Sequence, residues 1–337
     1  MSYHSISTKP LNASLKALLK RGGHVGLGIA AFTPVLALAN PTGGQVVAGS
    51  ATITTPGANG TVIKQHSQSA IIDWQQFNIG SGQYVQFLQP SSSSVILNRV
   101  IGGGSSSIYG SLTGNGQVFL VNTNGVFFGQ GASIDTQGFL ASTLDITDRN
   151  FMSGHYLFDQ ASAPGAKVIN QGSITAHRGG YVVLAGDYAE NDGIIAAQSG
   201  HVVLASGAKA TLSLKGNSLV NFAVDQATLA GYAGVKNTGS LMADGGTVIM
   251  TADVANALKA TVVNNTGLVQ AQAISNQGGA IYLTATGGNI ENSGTLDADG
   301  AMKGQAGGTI VLKGDGRTTL TSASKIDALG QNGAKGG

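Results

Sequence analysis

From residue 169 onward the chain repeats one unit: an apolar-Asn-x-Gly step, an apolar-x-Ala step, a Gly-Gly pair and an alternating apolar strand. The first copy runs Ile169-Asn170-Gln171-Gly172, then Ile174-Thr175-Ala176, Gly179-Gly180 and Tyr181-Val182-Val183-Leu184. Later copies open at Asn191, Asn237, Asn265 and Asn292, at intervals of 21, 46, 28 and 27 residues. The 46 reads as two shorter units, which predicts one degenerate coil between residues 206 and 234. A unit of this length cannot bury its apolar side alone; it must stack on its neighbours as a β-solenoid coil. The predicted fold is all-β, a parallel β-helix of about 13 coils at ~4.8 Å per coil. Asn and Gly are assigned to the corners, where they tolerate positive φ. A β-propeller fits less well, because its blades need roughly 40–50 residues.

Composition agrees with short strands and tight turns. Gly accounts for 52 of 337 residues, and charged residues for only 10%. Collagen is excluded, since the Gly residues have no triplet period, and a hydrophobic content of 42% argues against disorder. The net charge of +2 does not indicate nucleic-acid binding. Lys9, Lys16, Lys20 and Arg21 all precede residue 40, and the remainder carries 14 basic and 16 acidic residues. No polybasic patch is left to neutralise phosphates.

The first 39 residues read as a signal peptide. Lys16 to Arg21 supply the positive region, Val25 to Ala39 the apolar one, and Ala37-Leu38-Ala39 the small-x-small step. Cleavage is expected between Ala39 and Asn40. The apolar run is near 15 residues, against the ~20 a spanning helix needs, so no stable membrane insertion is expected. The chain has no Cys. An exported fold without disulfides must rely on regular hydrogen bonding and a long core.

Residues 40 to 100 differ from the later repeats. They carry turns such as Pro56-Gly57-Ala58-Asn59-Gly60, and they open the stretch before residue 130 that holds Trp74, Phe77, Tyr84, Phe87, Phe119, Phe127 and Phe128. An open solenoid end exposes strand edges and core, so this segment is read as the cap.

Several blocks in this region resemble the N-terminal, two-partner secretion domain of the filamentous haemagglutinin family. They are Asn40-Pro41-Thr42-Gly43-Gly44-Gln45, Ala70-Ile71-Ile72-Asp73-Trp74, Leu97-Asn98-Arg99-Val100-Ile101-Gly102-Gly103, Asn115 to Val126 and Gly138 to Ile146. The resemblance covers residues 40–160 and points to the high-molecular-weight adhesin branch. It implies a right-handed parallel β-helix with an N-terminal β cap, continued by repeats over residues 161–337. It also implies a secreted exoprotein that reaches the periplasm by the general secretory route. There the periplasmic domains of a dedicated outer-membrane transporter would recognise it and thread it out. The expected place is the surface or surroundings of a Gram-negative-type bacterium, in an adhesin- or haemagglutinin-like role toward an unnamed host-cell or glycan ligand.

Candidate recognition residues by this resemblance are Asn98, Arg99, Asn122, Thr123, Asn124 and Gly125. The family's Asn-Pro-Asn-Gly turn stands here as Asn122-Thr123-Asn124-Gly125, and the loss of Pro is expected to loosen it by about 0.4–1 kcal/mol. A second family motif, Asn-Pro-Asn-Leu, is absent, with Gln89-Pro90-Ser91-Ser92 in the neighbourhood where a related turn would sit. Asn124 and Gly125 are both assigned to left-handed positions.

No catalytic, metal or cofactor site is expected. Asp187, Glu190 and Asp192 read as decoration of one solvated loop. His177 and His201, 24 residues apart, read as stacked on adjacent coils. There is no nucleophile elbow and no phosphate-binding Gly loop. The alternatives are a β-helical carbohydrate-active enzyme and a passive surface or matrix protein. Ile326-Asp327-Ala328 and Gly336-Gly337 begin another coil without its strand, so the repeats are expected to continue beyond mid-coil.

Overall fold

The computed structural model describes residues 40–226, 228–229, 233–255, 260–274 and 277–337. The signal peptide and Ala39 lie outside them. Nearly every described element is a strand, wound as a three-sided parallel β-helix. One face runs from Gly60–Gln65 through Tyr84–Leu88 and Ser111–Gly114 to Lys325–Asp327, each strand parallel to the next. A second face runs from Ser69–Trp74 through Val95–Val100 and Gln117–Val121 to Thr309–Gly314. The third starts at Ser106–Ile108 and ends at Thr318–Leu320. Among the described residues the first face has ten rungs, fewer than the expected coil number, because two excursions leave the helix, a first at residues 143–167 and a second at residues 207–226.

The cap is shorter than the sequence suggested. Only Gln45–Ala48 and Ala51–Thr54 run antiparallel, on Ser69–Trp74 and Gly60–Gln65 respectively. From Gly60 onward the faces already pair in parallel. Trp74 lies buried under the cap beside Phe77, edge to face at 5.5 Å, and its indole N–H donates to Asn98 Oδ1 at 3.1 Å.

The interior alternates along each strand, with Val118, Leu120, Val182, Leu184, Val202 and Leu204 pointing inward. Full burial of such a side chain contributes about 1.5–3 kcal/mol. On the second face the outward residues Phe119, Val121, Leu140, Tyr181, Val183 and Val203 are buried as well. They are covered by a four-stranded antiparallel sheet of Asp145–Ile146, Tyr156–Gln160, Lys209–Lys215 and Ser218–Gln226, with a short helix at Asp148–Met152. This explains why Gln117–Val121 is buried throughout, whereas Thr247–Ala255, at the edge of the sheet with only Ile249 packed against it, alternates between buried and half-buried residues.

The covering sheet overturns the expected degenerate coil at 206–234. Residues 207–226 leave the helix and fold back as a hairpin around Gly216, at φ +63. The coils on either side stack directly, since Tyr188–Asn191 pairs with Gly234–Asn237. Gln117 Nε2 donates to Gly216 O at 3.0 Å and Tyr181 Oη donates to Gln117 Oε1 at 2.6 Å, which docks the hairpin tip.

The Asn and Gly corner residues also work differently from expectation. The repeated Asn residues form a buried ladder. Nδ2 of Asn170, Asn191, Asn237 and Asn265 each donates to Oδ1 of the next Asn, at 2.8, 2.8, 2.8 and 2.7 Å. None has positive φ. The paired glycines Gly193, Gly239, Gly267 and Gly294 do not either; they are needed for close approach. A Cβ on any of them would stand 2.0–2.1 Å from a carbonyl oxygen of the preceding coil.

His177 and His201 do not stack. His177 Nε2 meets Asp135 Oδ1 at 2.9 Å, while His201 sits between Tyr181 and Thr247 in the second face. Burial holds the His201 imidazole below its ordinary value of 6.5. The unfolded chain therefore binds this proton more readily than the native chain. Stability from this group is present above pH 6.5 and is lost as pH falls through the lower native value. Denaturant midpoints measured from pH 7 down to pH 5 are expected to fall, and His201→Gln is expected to flatten part of that slope. An unchanged slope in the variant would refute the assignment.

Candidate functional site

The four residues Asn122 to Gly125 form the corner between the second and third faces. Gly125 N–H donates to Asn122 O at 3.0 Å, closing a four-residue turn. Thr123 and Asn124 keep negative φ, and only Gly125 is left-handed, at φ +118. The expectation that Asn124 also takes a left-handed conformation is therefore corrected. The arrangement is that of a type I turn, which favours Asn at its first position and Gly at its fourth. Pro presets the second position but is not required there, so Thr123 fits without a change of turn.

Asn122 is fully buried and ties three segments together. Its Oδ1 accepts from Asn124 N–H at 2.9 Å. Its Nδ2 donates to Gly104 O and Ser106 Oγ, both at 3.0 Å. Asn124 Nδ2 reaches Gly102 O at 3.3 Å, and Thr123 O accepts from Ala163 N–H at 2.8 Å. The turn thus pins the Gly102 to Ser106 connection on one side and the return of the first excursion on the other. Thr123 and Asn124 stay half-buried, with part of each open to solvent.

Asn98 and Arg99 are neighbours in one strand but occupy opposite sides of the second face. Asn98 is fully buried inside, accepting from Trp74 and donating to Phe119 O at 3.3 Å. Arg99 points outward into a nest of carboxylates: Asp148 at 2.7 Å, Asp145 at 3.0 Å and Asp73 at 3.3 Å. It also donates to Ile146 O at 2.6 Å. Burial raises the Asp73 carboxyl above its ordinary value, against the pull of Arg99. The sequence flagged Arg99 but missed its partners. Asp145 and Asp148 lie 46 and 49 residues away, and only the fold brings them together. Asn40, the residue after the expected cleavage step, is half-buried and donates from Nδ2 to Ala58 O at 2.9 Å.

Asp187, Glu190 and Asp192 are not one solvated loop. Glu190 pairs with Lys236 one coil on, and Asp192 accepts from Thr238 Oγ1 at 2.6 Å. Among the described residues no group of three or more His, Cys, Asp or Glu is placed to hold a metal ion.

The family model of the TPS secretion domain matches residues 37–298. The chain belongs to the two-partner secretion (TPS) domain family. Its TPS domain is 34% identical over 267 residues to a heme/hemopexin-binding protein of Haemophilus influenzae (strain ATCC 51907 / DSM 11121 / KW20 / Rd), covering 77% of this chain. A second heme/hemopexin-binding protein of Haemophilus influenzae is 35% identical over 278 residues, covering 76%. The chain spans only 29% of the length of each of these relatives. Among solved structures, the HMW1 secretion domain from Haemophilus influenzae has a TM-score of 0.73 at 33% identity, covering 86% of this chain and 74% of that one. The fold is that of a TPS domain, and the matched span runs well past residue 160 into the Asn-ladder coils.

Proposed function

We propose that this chain is a secreted two-partner exoprotein whose capped coils from Asn40 onward direct export through a cognate outer-membrane transporter. The observation that carries this reading is the family match across residues 37–298, laid over one continuous capped stack. The physical properties agree with passage as an unfolded chain. No Cys can cross-link early, and each coil can form on the one before it, starting from the cap. The route begins with the general secretory pathway and a cleavage between Ala39 and Asn40. The destination is the outside of a Gram-negative bacterium, where the whole protein acts in an adhesin- or haemagglutinin-like way. The Haemophilus relatives favour a competing ligand, haem or its carrier, which retention of the secreted protein on immobilised hemopexin would separate from cell binding.

In this reading Thr123 and Asn124 offer the transporter's periplasmic domains an accessible turn, while Asn122 and Gly125 hold it from inside and Asn98 ties Trp74 to the strand that leads into it. Arg99 acts from the opposite side of the face, through the excursion it clamps. Export titres measured with the transporter coexpressed test this directly. The double variant Asn122→Ala/Asn124→Ala is expected to accumulate in the periplasm, with secreted protein reduced at least tenfold. Thr123→Ala, which leaves the internal bonds in place, is expected to melt normally yet be secreted less. Normal secretion of the double variant would sink both the recognition and the folding role of the turn.

A further inference from the structure

The corner between the third and first faces, opposite in character to the Asn122 turn, carries a groove of about 340 Å³ across three consecutive coils. It is lined by Ser81, Gln83, Tyr84, Tyr109, Ser111 and Gln130, with glycines between them and no charged residue. We propose that this groove is a binding site for a neutral saccharide.

Two observations point to a ligand. The first is Gln83, only 3% exposed. Its Oε1 accepts from Gly80 N–H at 2.7 Å, which fixes the amide's orientation, because the other terminus could not accept that bond. Its Nε2 is then a buried donor with no partner in the protein. Buried donors in native structures are almost always satisfied, so an unsatisfied one lining a groove calls for an acceptor from outside.

The second is the pair of tyrosines. Tyr84 and Tyr109 are 38% and 44% exposed, unusual for rings that are also held firmly. Tyr109 lies against Gly129, where a Cβ would stand 2.2 Å from its Cε1, and meets Phe127 edge to face at 5.9 Å. Tyr84 lies against Gly60 in the same way, with 2.4 Å to a Cβ there. Each ring is thus seated on bare backbone with part of its surface left to solvent. Strand register puts them on successive coils at one corner, since Tyr84 pairs with Ser111, two residues after Tyr109; the Tyr84 ring reaches over the coil before and the Tyr109 ring over the coil after.

The lining selects the ligand class. Fixed aromatic surface suits the apolar C–H face of a pyranose ring, and the tyrosine hydroxyls add a polar edge. Ser81, Ser111 and Gln130 both donate and accept, as sugar hydroxyls do, and Gln83 adds the buried donor. An organic cation would also favour tyrosine faces, but no carboxylate lines the groove to balance its charge. An anion would find neither Lys nor Arg there.

The test uses the purified secreted chain and saturation-transfer NMR with maltotetraose, cellotetraose, chitotetraose and lacto-N-tetraose, with 3′-sialyllactose as the charged comparison. At least one neutral tetrasaccharide is expected to bind, independently of salt. Tyr109→Ala is expected to weaken it at least tenfold, while Tyr109→Phe retains most of the affinity. Because Tyr109 covers Gly129, its loss could disturb folding; Gln130→Ala and Ser81→Ala change exposed rim residues and are expected to weaken binding with unchanged melting. Absence of binding to all four neutral probes would overturn the proposal. So would binding unmoved by Tyr109→Ala and Gln130→Ala together, or a preference for the sialylated probe. Loss of export in Tyr109→Ala, with no saccharide bound by the parent chain, would give the groove to the transporter instead.

Discussion

Replacing Gly239 with Ala is expected to disrupt the coil stack, while Gly103→Ala leaves it intact. Neither glycine has positive φ, so backbone conformation does not separate them. Space does. A Cβ at Gly239 would stand 2.0 Å from Gly193 O, a backbone atom that cannot rotate away, whereas a Cβ at Gly103 meets nothing within 4 Å. Gly239 is also the middle of a stack, because a Cβ on Gly267 would in turn stand 2.1 Å from Gly239 O. Any shift that relieves the first clash disturbs the next rung. It also disturbs the ladder, since Asn237 Nδ2 donates to Gly239 O, to Leu268 O and to Asn265 Oδ1. Overpacking of a filled site costs about 1–3 kcal/mol, and a clash with fixed backbone belongs at or above the upper end. Denaturant midpoints and the yield of protease-resistant secreted protein measure the effect. Equal midpoints for the two variants would show that the coils can spread to admit a methyl group.

The same comparison explains which parts of the fold were legible in the sequence. The Asn-x-Gly step marked the coils correctly because it recurs once per turn, and stacking makes equivalent positions identical. Its mechanism was not legible. Asn and Gly in a turn suggest left-handed backbone, but a ladder between Asn191 and Asn237 depends on a partner 46 residues away. The hairpin at 207–226 was misread for a related reason. Its strands alternate much as a coil strand does, and only their antiparallel pairing with Tyr156–Gln160 tells them apart. One sign of the covering sheet was present. The runs Val118 to Val121 and Val182 to Ala185 are apolar without alternation, which marks a strand buried on both sides. At the candidate turn the sequence found all four residues. It did not find the division between a buried, bonding pair and an accessible one, because that depends on the connections at Gly102–Ser106 and Ala163.

Arg99→Met is expected to release the first excursion from the second face. Met keeps the apolar stem and removes the charge, leaving Asp73, Asp145, Asp148 and the Ile146 carbonyl without their shared donor. Removing one partner of a buried ion pair costs about 3–5 kcal/mol, but Asp148 is half exposed, so solvent screening brings the expectation to about 2–3 kcal/mol. The loss should be local first. Asp145–Ile146 and the Asp148–Met152 helix connect to the covering sheet through Tyr156–Gln160, so protease cleavage within residues 144–166 is expected before the coils open. Acid should narrow the deficit. Burial already raises the Asp73 carboxyl in the native chain, and Arg99 opposes that rise. Without Arg99 the native carboxyl takes up its proton more readily still. The native state then binds more protons than the unfolded one, and stability from this group falls as pH rises through the native value. Between pH 7 and pH 4 the variant is therefore expected to regain ground on the parent, measured as the difference in denaturant midpoint at each pH. A difference that stays constant, or widens toward acid, would mean that Arg99 holds the excursion by packing alone and that the three carboxylates are not its partners in solution.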